Sequence, residues 1–171
     1  MLSQWAKSLD LTVIGTVSTT EKAKFSRDRG CDYPIVVADD FPLVAEVMRI
    51  TNDYGVDYWV HSSGGHMLDT AVNCMSSCGH CAVIGDRDGQ PISLDMNVLK
   101  RRSLTVSAPV CFDYFDDQTY LQRVSHQLFA RIQSRIIIPA IKAFPLSQVT
   151  EAHNRIESRQ TMGAVVLTAE K

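Results

Sequence analysis

A chain of 171 residues, 45% hydrophobic and 21% charged with formal net charge −2, can bury one real core with room for an appendage. That balance excludes a strongly basic nucleic-acid surface, and no apolar run approaches the roughly 20 residues that span a bilayer. The N-terminal MLSQWAKSLD lacks the basic-then-apolar layout of a signal peptide, and five cysteines, an odd number, fit a reducing compartment. These features point to a cytoplasmic chain with no nucleic-acid or membrane partner.

Residues 2–9 put Leu2, Trp5, Ala6 and Leu9 on one helical face, with Asp10 as the break. Leu11, Val13, Ile14 and Val17 then make a short, largely β-branched run, the composition of a buried parallel strand over Thr12–Val17. The strand stops in Thr16-Val17-Ser18-Thr19-Thr20, and a helical pattern opens with Glu21 and Lys22, runs to about Asp28 and closes at Gly30. A strand that ends in hydroxyls and feeds a helix gathers side-chain O–H groups, free backbone N–H groups and the positive end of a helix dipole. That is a place to hold an anion, a phosphate above all, and Lys22 adds a point charge. The same residues also suit an ordinary βα turn with a solvated lysine, and the stretch by itself leaves both readings open.

Tyr33–Val37 reads as a second strand, with Pro34 tolerable at its start or on an edge. Asp39, Asp40 and Pro42 lead into a helix whose apolar face is Leu43, Val44, Val47, Met48 and Ile50, followed by a turn at Asn52-Asp53-Tyr54-Gly55. Val56–Val60 is a third strand, ending in His61-Ser62-Ser63-Gly64-Gly65, and a helix runs from about Met67 to Met75. Cys81–Ile84 is a fourth strand, closing in Gly85-Asp86-Arg87-Asp88-Gly89. A short helical piece around Leu94–Lys100 precedes a fifth strand, Ser103–Ser107, and Leu121–Gln133 is amphipathic on Leu121, Val124, Leu128, Phe129 and Ile132. The last unit combines an extended Ile136–Phe144, a helix Leu146–Glu157 and a strand Ala164–Thr168.

Strands alternating with helices of this length predict a doubly wound, Rossmann-like parallel sheet. Its glycine and serine clusters fall at strand C-terminal ends, the edge where such sheets bind ligands. Cys74-x3-Cys78-x2-Cys81, with His80 beside it and His66 upstream, invites a zinc reading. The paired C-x2-C spacing of a structural zinc site is absent, however, and Cys81 begins an apolar strand, so small buried thiols are expected and no metal.

The order GTVSTTEKAKF, GVDYWVHSSGG, AVIGDRDGQP, KRRSLTVSAPV and ARIQSRIIIPAIKAFPLSQVTEAHNRIESRQTMGAVVL resembles the C-terminal half of a zinc-independent quinone oxidoreductase of the medium-chain dehydrogenase/reductase superfamily. The resemblance runs the length of the chain and implies NADPH as cofactor, with hydride transfer to a quinone or other conjugated carbonyl. It implies that Ser18, Thr19 and Lys22 contact the adenosine ribose and its 2′-phosphate. Ser62 would approach the cofactor from its strand end, and Gly85 and Asp86 would flank it. Val110, Cys111 and Phe112 would face the nicotinamide, and Arg159 would reach the phosphates. No catalytic side chain and no metal ligand is implied. Three positions depart from the family pattern. His61 stands where an aspartate is usual, Val37 where a tyrosine often packs on the adenine, and Asp86 where an asparagine-like neutral residue is common.

Two expected features are missing. The first strand of such a sheet lies in its middle and is followed by a G-x-G-x-x-G turn that cradles the pyrophosphate, and this sequence has neither. The family's N-terminal substrate domain is missing as well. The chain therefore reads as a truncated dinucleotide-binding domain over residues 1–138, with a segment, 139–171, that in the family packs on the missing domain. Strands Thr12–Val17 and Val56–Val60 would each keep an unpaired edge, and activity of the chain alone is doubtful. The alternative is a non-catalytic fragment or a dimerisation module, since the resemblance implies that the Ser103–Ser107 strand pairs with its symmetry mate in a homodimer.

Overall fold

The computed structural model describes residues 1–38, 40–62, 67–85, 89, 93–158 and 160–169. The chain divides into two compact units, Met1–Val37 with Arg123–Lys171, and Ala38–Gln122. Among the described residues all strand pairings are parallel, and they fall into three sheets.

In the first unit, helix α1 (Leu2–Lys7) precedes strand β1 (Ile14–Val17), helix α2 (Thr20–Arg27) and strand β2 (Tyr33–Val36). β1 and β2 pair in register from Ile14–Tyr33 to Val17–Val36. Asp32 clamps the start of this ladder: its Oδ2 accepts from the Val13 N–H at 2.9 Å, while Lys7 Nζ donates to its Oδ1 at 2.6 Å. These contacts hold the Asp32 carboxyl below its ordinary value, the Lys7 bond contributing most. Gly15 is small because Cys31 is there, since a Cβ on Gly15 would stand 2.9 Å from the Cys31 sulfur. At the other end of the unit, β6 (Ile141–Pro145) pairs with β7 (Ala164–Thr168), and α7 (Val149–Glu157) joins them. Phe144 and Ala152 are buried there, while Ile141, Leu146, Val166 and Leu167 stay exposed.

The second unit carries α3 (Leu43–Thr51), β3 (Val56–His61), α4 (Leu68–Cys74), β4 (Met75–Val83), α5 (Met96–Arg102) and β5 (Thr105–Ser107). Its sheet has the order β3-β4-β5. Trp59, Cys81 and Val106 align across the three strands. They meet a core of Leu68, Val72, Met75, Leu99 and Leu104 from α4, α5 and their flanks. Each such fully buried aliphatic chain is worth about 1.5–3 kcal/mol relative to exposure. Arg102 ties α5 to α4, donating to the Val72 and Met75 carbonyls, both at 2.8 Å, where a helix end leaves acceptors unpaired.

Helix α6 (Gln118–Gln133) starts three residues before the predicted Leu121, because Asp117 Oδ1 accepts from the Tyr120 N–H at 2.9 Å and caps it. Other boundaries also differ from expectation, among them β1, which begins at Ile14 rather than Thr12, and β5, which begins at Thr105 rather than Ser103. β4 begins at Met75 rather than Cys81, with a register shift between Val56 and Tyr58 and Cys78 at φ +64°. Ser76, Ser77, Cys78 and Gly79 form that irregular entry, a composition that reads as a turn. α5 is shifted to Met96–Arg102 because Asp95 Oδ1 accepts from the Asn97 N–H at 2.8 Å. The extended Ile136–Phe144 shrinks to β6, since Arg135 turns left-handed and the Ile137 N–H donates to the Arg131 carbonyl at 3.0 Å. The helix expected over Leu146–Glu157 opens as a 3-10 turn at Leu146–Gln148 before α7.

Candidate cofactor-binding site

The first group of candidate residues lies where β1 hands over to α2. Thr19 has extended backbone (φ −145°, ψ 156°), and its Oγ1 accepts from the Lys22 N–H at 3.2 Å, which makes it the N-cap of α2. One turn into the helix, the Lys22 side chain folds back, so that Nζ donates to Ser18 Oγ at 3.2 Å. Ser18, Thr19 and Lys22 are thus brought together as two hydroxyls and an ammonium at a helix N-terminus. Glu21 sits in the same first turn and opposes an anion with its own charge. The Asp32 clamp fixes the β1 ladder that delivers this cluster, and its role was invisible in the sequence. Nothing local marks the pairing of Asp32 with Val13 and Lys7 across the fold.

The second group lies in the other unit. β3 and β4 run out side by side, with His61 opposite Val83 and the Ile84 N–H donating to the His61 carbonyl at 2.8 Å. Ser62 and Gly85 therefore end up adjacent: a Cβ on Gly85 would stand 3.5 Å from the Ser62 carbonyl oxygen. That is ordinary contact, so the glycine leaves open space rather than relieving a clash. His61, where an aspartate was expected, is buried at the end of β3. Past β5, Val110 leads into a 3-10 turn, Cys111–Tyr114, and Val110, Cys111 and Phe112 are all exposed. Asp86 and Arg159 lie outside the described residues.

A parallel α/β fold with hydroxyls, small residues and a lysine at its strand ends is the architecture of a Rossmann-like protein. The chain belongs to the zinc-binding dehydrogenase family, whose sequence profile matches residues 1–125. Among its relatives are a 2-haloacrylate reductase of a Burkholderia species, 36% identical over 168 residues, 95% of this chain and 50% of that protein. A quinone oxidoreductase of Pseudomonas aeruginosa is 29% identical over 166 residues, 96% of this chain and 51% of that protein. Of the solved structures, a mycobacterial protein complexed with NADPH superposes with TM-score 0.87 at 31% identity, over 97% of this chain and 52% of that one. The Escherichia coli quinone oxidoreductase complexed with NADPH gives TM-score 0.85 at 28% identity, over 96% and 52%. The chain spans about half the length of the relatives it matches.

The family's description names zinc, and the two buried thiols of the Cys74–Cys81 stretch do not fit it, while Cys78 between them is exposed rather than buried as expected. Cys74 and Cys81 are completely buried. Burial pushes the Cys74 thiol up to about 11, against the opposing pull of Arg102, and raises Cys81 as well. Zinc takes the thiolate, and these sites favour the thiol. His80 is engaged with Ser107, Nε2 to Oγ at 2.9 Å. Among the described residues, no three His, Cys, Asp or Glu side chains are grouped to hold a metal ion. His66 lies outside them.

Proposed function

We infer that this chain is the NADPH-holding part of a quinone oxidoreductase-like enzyme, in which a hydride passes from the cofactor to a quinone or other conjugated carbonyl. The observation that carries this reading is the β1–α2 cluster, with Lys22 Nζ 3.2 Å from Ser18 Oγ and Thr19 capping the helix. One ammonium, two hydroxyls and a helix N-terminus are a donor set that suits the 2′-phosphate of NADPH. The relatives solved with NADPH support the assignment.

When bound, NADPH supplies the hydride, and the protein's part is binding and orientation. Ser18, Thr19 and Lys22 hold the phosphorylated ribose. Ser62 and Gly85 offer a strand edge free of bulk on which the cofactor lies, flanked by Asp86. Val110, Cys111 and Phe112 form the backbone segment toward the nicotinamide, and Arg159 reaches the phosphates. Residues 1–138 are the cofactor-binding part, and residues 139–171 the segment that packs on a substrate domain. The exposure of Ile141, Leu146, Val166 and Leu167 supports the second assignment. Turnover is expected only from a polypeptide that also supplies a substrate pocket.

Thermal unfolding of the chain with and without NADPH tests the reading. A ligand that binds only the folded state stabilises it by about 2.7 kcal/mol at 100 times its dissociation constant. A cooperative transition that rises with NADPH is expected; a cooperative transition that ignores NADPH overturns the reading.

A second element of the proposal is a homodimer through Ser103–Ser107. Among the described residues β5 pairs with β4 alone, so its other edge is available to a second copy. A cytoplasmic location belongs to the same reading. All five cysteines are free thiols, and no helix among the described residues is long and apolar enough to cross a membrane.

A further inference from the structure

The first turn of α2 carries its charges in an order that helix formation alone does not explain. Thr19 is the N-cap, and three residues on, where a capping box places Glu or Gln, stands Lys22. A cation there faces the positive end of the helix dipole, whereas a carboxylate suits it. Glu21, one position earlier, is the acid of that turn and is exposed. Consecutive helix residues point about 100° apart, so Glu21 and Lys22 do not face each other as a pair. Lys22 instead folds back to Ser18, Nζ to Oγ at 3.2 Å. The Lys22 amide donates to Thr19 Oγ1 and the Ala23 amide to the Thr19 carbonyl, which leaves the amides of Thr20 and Glu21 as the helix donors toward the strand end. A phosphate that accepts from the Glu21 amide comes within a screening length, about 10 Å at 0.1 M salt, of that residue's own carboxylate.

We propose that Glu21 sets the margin between phosphorylated and unphosphorylated nicotinamide cofactors: its carboxylate stands in for the anion at the α2 N-terminus while the site is empty and opposes the 2′-phosphate when NADPH binds. The inference rests on the reading above, in which Ser18, Thr19 and Lys22 hold the phosphorylated ribose. One charge has both effects. In the empty site it offsets the dipole and the ammonium, which steadies the first turn of α2. Against a phosphate that brings nearly two negative charges, the same carboxylate is a like-charge neighbour. The chain therefore prefers NADPH to NADH by less than Lys22 and Ser18 alone would give. The diphosphate is common to the two cofactors, so any effect of Glu21 through it cancels in their ratio.

Isothermal titration of the parent chain and of Glu21→Gln with NADPH, NADP+ and NADH is the test. Glu21→Gln keeps the size and removes the charge. It is expected to tighten NADPH and NADP+ alike, about threefold at low salt, and to leave NADH unchanged. The gain should disappear in about 0.5 M salt. Glu21→Asp, which keeps the charge, should bind all three as the parent does. Without cofactor, Glu21→Gln should melt below the parent, since α2 loses the acid of its first turn. A parent chain that binds NADPH while Glu21→Gln leaves the NADPH-to-NADH ratio where it was, or shifts both cofactors equally, overturns the role of Glu21 alone. A gain that persists at high salt also overturns it, because the effect is then not electrostatic. A parent chain whose melting temperature ignores NADPH overturns the cofactor reading itself.

Discussion

In the function proposed above, Lys22 is the residue on which cofactor discrimination turns. Its ammonium is held 3.2 Å from Ser18 Oγ, so it is already aimed at the strand end when the ligand arrives. Only NADPH carries the 2′-phosphate. Lys22→Ala is therefore expected to weaken NADPH about tenfold while moving NADH by less than about twofold, as read by isothermal titration with each nucleotide. Equal losses for the two nucleotides remove Lys22 from this role. Asp32 acts on stability instead. Its carboxyl sits below the ordinary value of 3.8, held there by Lys7 and then by the Val13 N–H. A lowered carboxyl contributes stability that is present above pH 4 and drains away as pH falls through its folded-state value. Asp32→Asn should accordingly cost about 1 kcal/mol at pH 7, where the ion pair is partly exposed and screened, and progressively less as pH falls below 4. Denaturant melts over a series of pH values check this.

Gly55 shows how an element boundary is enforced. It has φ +85°, and a Cβ there would stand 2.7 Å from both the Met75 carbonyl carbon and the Ser76 nitrogen. Neither backbone can retreat, because Met75 is buried in the core and Ser76 Oγ donates to Asp57 Oδ1 at 2.9 Å. Gly55→Ala combines a left-handed penalty with a backbone clash and should destabilise the second unit by about 2 kcal/mol or more, measured by thermal unfolding. This is also where legibility ended. The turn residues Asn52-Asp53-Tyr54-Gly55 announced a break, and the alternation of strands with helices announced parallel pairing. β7 matched its predicted limits, Ala164–Thr168, and the hydroxyl run does lie between β1 and α2 as expected. What could not be read was set by partners distant in sequence. The entry to β4 is shaped by β3 and Gly55, the Arg102 cap depends on where α4 ends, and the turn at Arg135–Ile138 is drawn in by Arg29 and Gln4, which bond the Ile138 backbone at 3.1 and 3.3 Å. At the candidate site, the adjacency of Ser62 and Gly85 followed from strand register, which composition does not specify.

At the scale of the whole molecule, the proposed dimer turns on the edge of β5 that pairs with no strand among the described residues. Val106 sits in the middle of that strand, paired with Cys81 on its inner side. Val106→Pro removes a backbone donor and stiffens the edge, so a chain that sediments as a dimer should shift to monomer. Sedimentation velocity on both forms reads this directly. An unchanged dimer places the interface elsewhere.

The order in which the strands pair bears on how fast the chain folds. Among the described residues each ladder joins strands consecutive in the chain, β1 with β2, β3 with β4, β4 with β5 and β6 with β7. Among the described residues no pairing spans a longer interval, although parallel sheets commonly include strands far apart in sequence. Contact order, rather than size, dominates the folding rate of small domains, and loop closure over short intervals is entropically inexpensive. Each strand–helix–strand hairpin is therefore a nucleus that closes without waiting for any other. The chain should collapse quickly into native-like pieces, and hydrogen exchange should sort its amides by ladder rather than into one global class.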